Sequence, residues 1–197
     1  MKKLLFLILT VSFVFSYDNI QLEKFKKTLL CEECDLSNAN LSNMDLAGAN
    51  LAGSNLTGAN LSKSNFARAS FWGTNLENVE AVDSNFFRVN FESAIIKNST
   101  FDRSILKGAN LQLTELENIS FVGTNLWGVQ FNEAIIDKVD FSSSRIADTR
   151  FVDVDLTTSL LQDVLAYDAQ FTNATLLKKD CDYLKNEDVK FKNTKCQ

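Results

Sequence analysis

This chain contains no histidine and no proline, and only seven glycines and two methionines in 197 residues. The missing histidine removes every Ser-His-Asp and Cys-His nucleophile system and the commonest metal ligand. The missing proline fits a backbone whose N–H groups are used in strand ladders. Basic residues are the scarcer charge, 20 Lys and Arg against 25 Asp and Glu, for a net charge of −5. No strong basic patch is expected, which argues against direct nucleic-acid binding. No apolar run reaches the roughly 20 residues that a membrane span needs.

The one sustained apolar run is at the start. Met1-Lys2-Lys3 is a short basic segment, and Leu4 to Phe15 is apolar except for Thr10 and Ser12. Val14-Phe15-Ser16 places acceptable residues at −3 and −1 of a cleavage site, so residues 1–16 read as an export signal. The competing reading is a buried structural helix. No cysteine directly follows the run, so neither a lipoprotein anchor nor any other stable membrane anchor is expected after cleavage. The mature chain, starting at Tyr17, keeps 18 basic and 25 acidic residues, a net −7 (18 − 25). A periplasmic or secreted protein is the expectation.

From Leu36 to Leu176 every fifth residue is Leu, Phe, Ile or Ala, without one insertion or deletion. Of these 29 centres only Ala81 and Ala166 are alanine. Two residues before each centre, 26 of 29 sites are Ala, Ser, Thr or Val; Cys34, Met44 and Ile119 are the exceptions. All seven glycines lie two residues after a centre, a slot shared with Asn38, Asn43, Asn78, Asn98, Asn118 and Asn173. A period of five is neither 3.6 nor 2, which excludes a plain helix or a plain strand. The centre and the small residue two places earlier face inward with strand alternation. Gly or Asn two places later permits the positive φ of a sharp corner. Corners repeated in one sense wind the chain into a narrow prism.

Ala-Asn-Leu-Ser-Asn, Ala-Asn-Leu-Ala-Gly and Ser-Asn-Leu-Thr-Gly resemble the A-(D/N)-L-x-x consensus of pentapeptide-repeat proteins, over residues 31–176. The resemblance implies an all-β fold, a right-handed quadrilateral β-helix with four pentapeptides per coil. Twenty-nine repeats then make about seven coils, 29/4. Leu51, Phe71, Phe91, Leu111, Phe131, Phe151, Phe171 and Phe191 would stack as one core column. Such a stack needs capped ends. Residues 17–34 read as a short capping helix and lead-in, with Asp18 or Asn19 as N-cap and Ile20, Phe25 and Leu29 packing on the first coil. Cys31-Glu-Glu-Cys34-Asp35-Leu36 matches the lead-in that often follows that helix in the family. Residues 35–177 form the solenoid and 178–197 an irregular C-terminal cap, in which Val189 and Phe191 keep phase.

The four cysteines, Cys31, Cys34, Cys181 and Cys196, invite disulfides in an exported chain. In the implied fold about seven coils at ~4.8 Å separate the two ends by roughly 30 Å, beyond the ~7 Å reach of a disulfide. The resemblance therefore implies Cys31–Cys34 and Cys181–Cys196, with either bridge open to being absent, and rules out a four-cysteine zinc site. A redox role for the Cys31/Cys34 pair is an alternative, but no thioredoxin-like pattern surrounds it.

Most aromatics occupy inward centres. Phe87, Trp127 and Tyr167 instead follow centres in one column, and Trp72 takes the same kind of slot on the adjacent side. Exposed aromatics on a flat face suit a partner; the plainer reading is scattered rings shielded by their neighbours. With no nucleophile–base pair and every glycine spent on a turn, no enzyme and no cofactor are expected. The function expected is a rigid exported rod that presents flat faces to an unidentified protein partner. Two alternatives remain: the redox pair, and a DNA-mimicking rod like the gyrase-binding quinolone-resistance members of the family. Those members also dimerise through the C-terminal end, and the tail leaves room for a homodimer there.

Overall fold

The structure, a computed structural model, describes residues 19–197. The export signal, its cleavage site and Asp18 fall outside the described residues. The chain winds as a four-sided parallel β-solenoid, with four pentapeptides to each turn. Leu30 pairs with Asn50, Asn50 with Ser70, and the column runs on coil by coil to the pairing of Gln170 with Lys190. Where pairing lengthens into strands, one sheet holds β1 (Asn75–Glu77), β2 (Ile95–Lys97), β3 (Glu115–Glu117) and β4 (Ile135–Asp137). A second holds β5 (Arg150–Val152), β6 (Gln170–Thr172) and β8 (Lys190–Lys192), and a third holds β7 (Thr175–Leu176) and β9 (Lys195–Cys196).

The five-residue period maps onto this geometry position by position. The centre N–H donates to a backbone carbonyl of the next coil, as Leu36 does to Asn55 at 2.8 Å. Two residues later a second N–H does the same, Asn38 to Thr57 at 2.7 Å. That second residue turns the corner with positive φ. Of the 29 such positions from Glu33 to Asn173, all but Thr158 have φ between about +50° and +73°. Glycine and asparagine fit there at low cost, but Arg68, Arg88, Leu113 and Glu133 are held in the same region. Ladder bonds on both sides of each corner offset the strain of these side chains. Asparagine just before a centre acts locally, because its Oδ1 accepts the N–H two residues on, as Asn55 does from Thr57 at 3.1 Å.

The inside is dry and layered. Every centre from Leu36 to Leu176 is buried. Phe131, Phe151 and Phe171 stack with ring centroids 5.1 Å apart and planes within 7° of parallel, and Phe191 continues the column at 5.5 Å. The inward small residues close the other half of each layer. Most of their hydroxyls are satisfied by a fixed reach to a centre carbonyl of the preceding coil, as in Ser64 to Leu41 at 2.6 Å and Thr149 to Leu126 at 2.7 Å.

Helix α1 (Asn19–Thr28) caps the first coil. Phe25 is fully buried and Leu29 packs partly against the core, but Ile20 is exposed and Leu22 is buried in its place. Leu22, Phe25 and Leu29 follow the three- and four-residue spacing of one helical face, and Ile20 lies off it. Leu29, at φ 58°, ends the helix. At the other end α2 (Lys178–Leu184) takes the place of regular pentapeptides within the last coil. β8 and β9 then resume the register, pairing Phe191 with Phe171 and Cys196 with Leu176. Lys190, Lys192 and Lys195 lie on these last strands, where charge discourages edge-to-edge pairing.

Candidate docking face

The four sides are conveniently lettered by their centres: side A carries Leu76, Ile96, Leu116 and Ile136; side B, Ala81 and Phe101; side C, Phe86, Leu106, Leu126 and Ile146; side D, Phe71 and Phe91. On each side the residues before and after the centre point outward. On side C these form two adjacent columns: Asn85, Ile105, Asn125, Arg145 and Leu165, beside Phe87, Lys107, Trp127, Ala147 and Tyr167.

Phe87, Trp127 and Tyr167 thus share one column, and cations fill the spaces between them. The Arg88 guanidinium lies 5.1 Å from the Phe87 ring centre. The Lys107 ammonium sits 3.9 Å over Trp127, and the Arg145 guanidinium 4.6 Å over the same ring and 5.8 Å from Tyr167. Arg145 Nη2 also donates to the Tyr167 hydroxyl at 2.8 Å. The arrangement is a cation–π ladder rather than a bare aromatic stripe. Phe87 and Trp127 are half-buried beneath the cations, and Ala147 is buried between Trp127 and Tyr167. Tyr167, Ile105 and Leu165 remain exposed around them. Sequence reasoning missed Lys107 and Arg145. The available signal was their position in the repeat: Lys107 stands one coil from both Phe87 and Trp127, and Arg145 one coil from both Asn125 and Leu165.

Charge separates this side from the rest. Among the outward and corner positions of side C from Asn65 to Asp148, Arg68, Arg88, Lys107 and Arg145 are basic and Asp148 alone is acidic. Among the described residues none of these four cations lies within salt-bridge distance of a carboxylate. Elsewhere acids outnumber bases, and six cations, among them Lys97 and Arg103, are paired with carboxylates. Lys97 bridges Glu115 and Glu117 at 3.2 and 3.4 Å, and those two carboxylates raise its pKa. Arg103 binds Asp83 at 2.8 Å and holds that carboxyl below its ordinary value.

Trp72 is not part of the ladder. It is 51% exposed on side D, over a shallow depression of about 290 Å³ lined with Glu32, Glu33, Ala52 and Gly53. The cysteines are bonded as Cys31–Cys34 and Cys181–Cys196, with Cα atoms 5.4 and 6.1 Å apart. The first bridge spans a corner of the opening coil. The second ties α2 to β9. Among the described residues no group of three or more His, Cys, Asp or Glu side chains is placed to hold a metal, and no helix is long and apolar enough to cross a membrane.

A four-sided solenoid of five-residue units, four to a turn, defines a class of protein, and sequence comparison gives the same class. The pentapeptide repeat region model matches residues 94–171, and the model of eight pentapeptide repeats matches residues 45–80. The chain belongs to the pentapeptide-repeat family. It is similar to a solved structure of trypsin-treated QnrB1, a plasmid-mediated fluoroquinolone resistance protein, with 16% identity, a TM-score of 0.58 and coverage of 85% of this chain and 80% of that one. It is also similar to HetL, a pentapeptide repeat protein involved in heterocyst differentiation regulation in the cyanobacterium Nostoc, with 18% identity, a TM-score of 0.45 and coverage of 84% and 86%. At 16% identity the likeness to the QnrB1 structure establishes the fold alone. A search of curated proteins finds no match.

Proposed function

We propose that this chain is a non-catalytic interaction module, an exported rigid rod that docks a protein partner on side C. One observation carries the reading: four cations without acidic partners, three of them held against Phe87, Trp127 and Tyr167, gathered on one side of an acidic rod. Rings fix the cations, so little side-chain freedom is lost when a partner arrives. The exposed Ile105 and Leu165 supply the apolar part of such a contact. A solenoid suits docking because each coil buttresses its neighbours and keeps the face flat. Two closed disulfides fit an oxidising compartment, and export to the periplasm or medium is the reading they favour. A DNA-mimicking role would call for a continuous acidic surface, and side C interrupts it.

Capture from native periplasm or medium tests this reading. Wild-type protein should retain a partner that the triple variant Phe87→Ser, Trp127→Ser, Tyr167→Ser loses, with the variant still folded by circular dichroism. Unchanged capture by the folded variant would move the docking surface off side C.

A further inference from the structure

We infer that side C also takes side A of a second copy of this chain, so that rods associate laterally in open rows. The inference rests on reading side C as a docking surface and names an occupant for it. Sides A and C lie two pentapeptides apart, hence on opposite walls of a four-sided prism. Across the same coils they carry opposite charge. Side A from β1 to Asp155 holds Glu77, Glu115, Glu117, Asp137 and Asp155 against Lys97 and Lys138, a net of three negative charges (2 − 5). Side C over the same height carries Arg68, Arg88, Lys107 and Arg145 against Asp148, a net of three positive charges (4 − 1). The apolar groups match as well. Ile95 and Ile135 stand exposed on side A beside Glu115, at 39% and 66%, as Ile105 and Leu165 do on side C beside Lys107 and Arg145.

An interface between two different faces of identical molecules is heterologous, and opposite walls cannot close it into a dimer. Each copy offers one face in each direction, so rows grow. The contact itself is small. About seven coils at ~4.8 Å and a side about 10 Å wide give a face of roughly 340 Å², less than the ~800 Å² per partner of a standard interface. Association should therefore be weak and concentration-dependent, and salt should weaken it because the charges are exposed. The chain's net negative charge suppresses random contacts and leaves the one pairing of opposite sign favoured.

Sedimentation velocity of the mature, oxidised protein over a wide concentration range tests the inference. The sedimentation coefficient should rise with concentration at low salt and fall back at high salt. Two variants isolate the faces: Lys107→Glu with Arg145→Glu on side C, and Glu115→Lys with Glu117→Lys on side A. Each alone should lower the association constant at least about tenfold while keeping its circular dichroism spectrum. Mixed in equal amounts they should associate again, because each reversed face then meets an opposite charge. A wild-type protein that stays monomeric, or variants that associate as the wild type does, would overturn the inference. If the wild type stays monomeric but side C substitutions still abolish capture of a partner, the docking role stands and self-association fails. Should the wild type bind a DNA duplex that the Lys107→Glu, Arg145→Glu variant does not, the cations serve a polyanion and the inference is overturned.

Discussion

Residues 30–130 and residues 131–197 use the same repeat, yet they are not equally finished. In the first region the ladder begins with the opening coil, where Cys31 N–H donates to Asn50 at 2.8 Å, and continues without a gap. In the second, the ladder breaks on side A between Ile136 and Asp155, and again where α2 displaces the coil that would receive the N–H groups of Leu161, Asp163 and Ala166. Neither Ile136 N–H nor Asp155 N–H makes its regular bond across the side A junction, and Lys138 N–H donates to the Thr158 hydroxyl instead of a backbone carbonyl. Among the described residues, the five buried side-chain atoms without a hydrogen-bond partner also lie there, on Asn132, Ser144, Arg145, Ser159 and Asp180. The long-loop disulfide sits at the same end. A stack of coils is stable as a sum of neighbouring junctions, so imperfections gathered at one end weaken that end and leave the other intact. The second bridge counteracts this fraying.

The largest effect comes from the aromatic column. Truncating a buried Phe costs about 3–5 kcal/mol. Phe151→Ala should melt the C-terminal third first, so that hydrogen exchange under mild urea shows amides of residues 30–130 still protected. Phe71→Ala should instead abolish protection along the whole rod. Identical exchange patterns for the two variants would mean that the two regions unfold as one.

The disulfides come next. Cys181–Cys196 closes a loop with a sequence separation of 15, and Cys31–Cys34 one of only 3. In the chain-entropy model the longer loop contributes about 3 kcal/mol. Cys181→Ser with Cys196→Ser should lower the melting temperature by several degrees, whereas Cys31→Ser with Cys34→Ser should change it much less. Equal shifts would show that the short bridge does more than turn a corner.

Asp180 distinguishes the ends by pH. It opens α2, its Oδ2 is buried without a partner, and desolvation raises its pKa against the opposing pull of Lys179. A raised folded pKa means that folding favours the neutral acid over the carboxylate more than the unfolded chain does. Its stabilising contribution is full below the ordinary value of 3.8 and is lost as pH rises through the raised value. Asp180→Asn, which mimics the neutral form, should protect α2 amides from exchange at neutral pH and flatten their pH dependence. An unchanged pH profile in the variant would place the effect elsewhere.

Much of this was legible in the sequence because the repeat repeats its physics. Leu36 to Leu176 face inward since nothing else can fill a narrow prism, and Gly48 or Asn38 turns corners by local conformation alone. The column from Phe71 to Phe191 needed only the spacing of four pentapeptides. Features that depend on one copy against its neighbours were not legible. Helix α2 lacks a capping side chain at Leu177, and its Lys-Lys-Asp-Cys-Asp-Tyr-Leu sequence shows no clear period. The ladder on side C arises from residues one coil apart: Lys107 reads as a solvated charge until Trp127 is set beside it. Ile20 was placed on the core by its hydrophobicity, but helical spacing selects Leu22.

Thr158 is the smallest of these effects and the most local. It is the only β-branched residue among the 29 corner positions, and the only one of them without positive φ. Branching at Cβ makes the left-handed region costly, so this corner takes another conformation and the neighbouring ladder bonds fail to form. Asparagine occupies the same slot at Asn38, Asn98 and Asn173 with φ of 58°, 50° and 53°. Thr158→Asn should therefore let the corner adopt the regular turn, restoring bonds from Ile136 to Asp155, from Lys138 to Thr157 and from Asp155 to Ala134. Each backbone bond is worth about 1 kcal/mol net. The variant loses the bond from Lys138 to the Thr158 hydroxyl, and relaxation of neighbouring coils opposes part of the gain. A net stabilisation of about 1 kcal/mol should raise the melting temperature by roughly 2–4 °C in a chain of this size. The sharper readout is exchange at the amides of Ile136 and Asp155, which should slow in the variant while those of Leu56 and Asn75, on the same side in the regular region, stay as they are. If the two amides exchange as fast as before, the break is set by the packing of Val154 and Ser159 rather than by the corner residue.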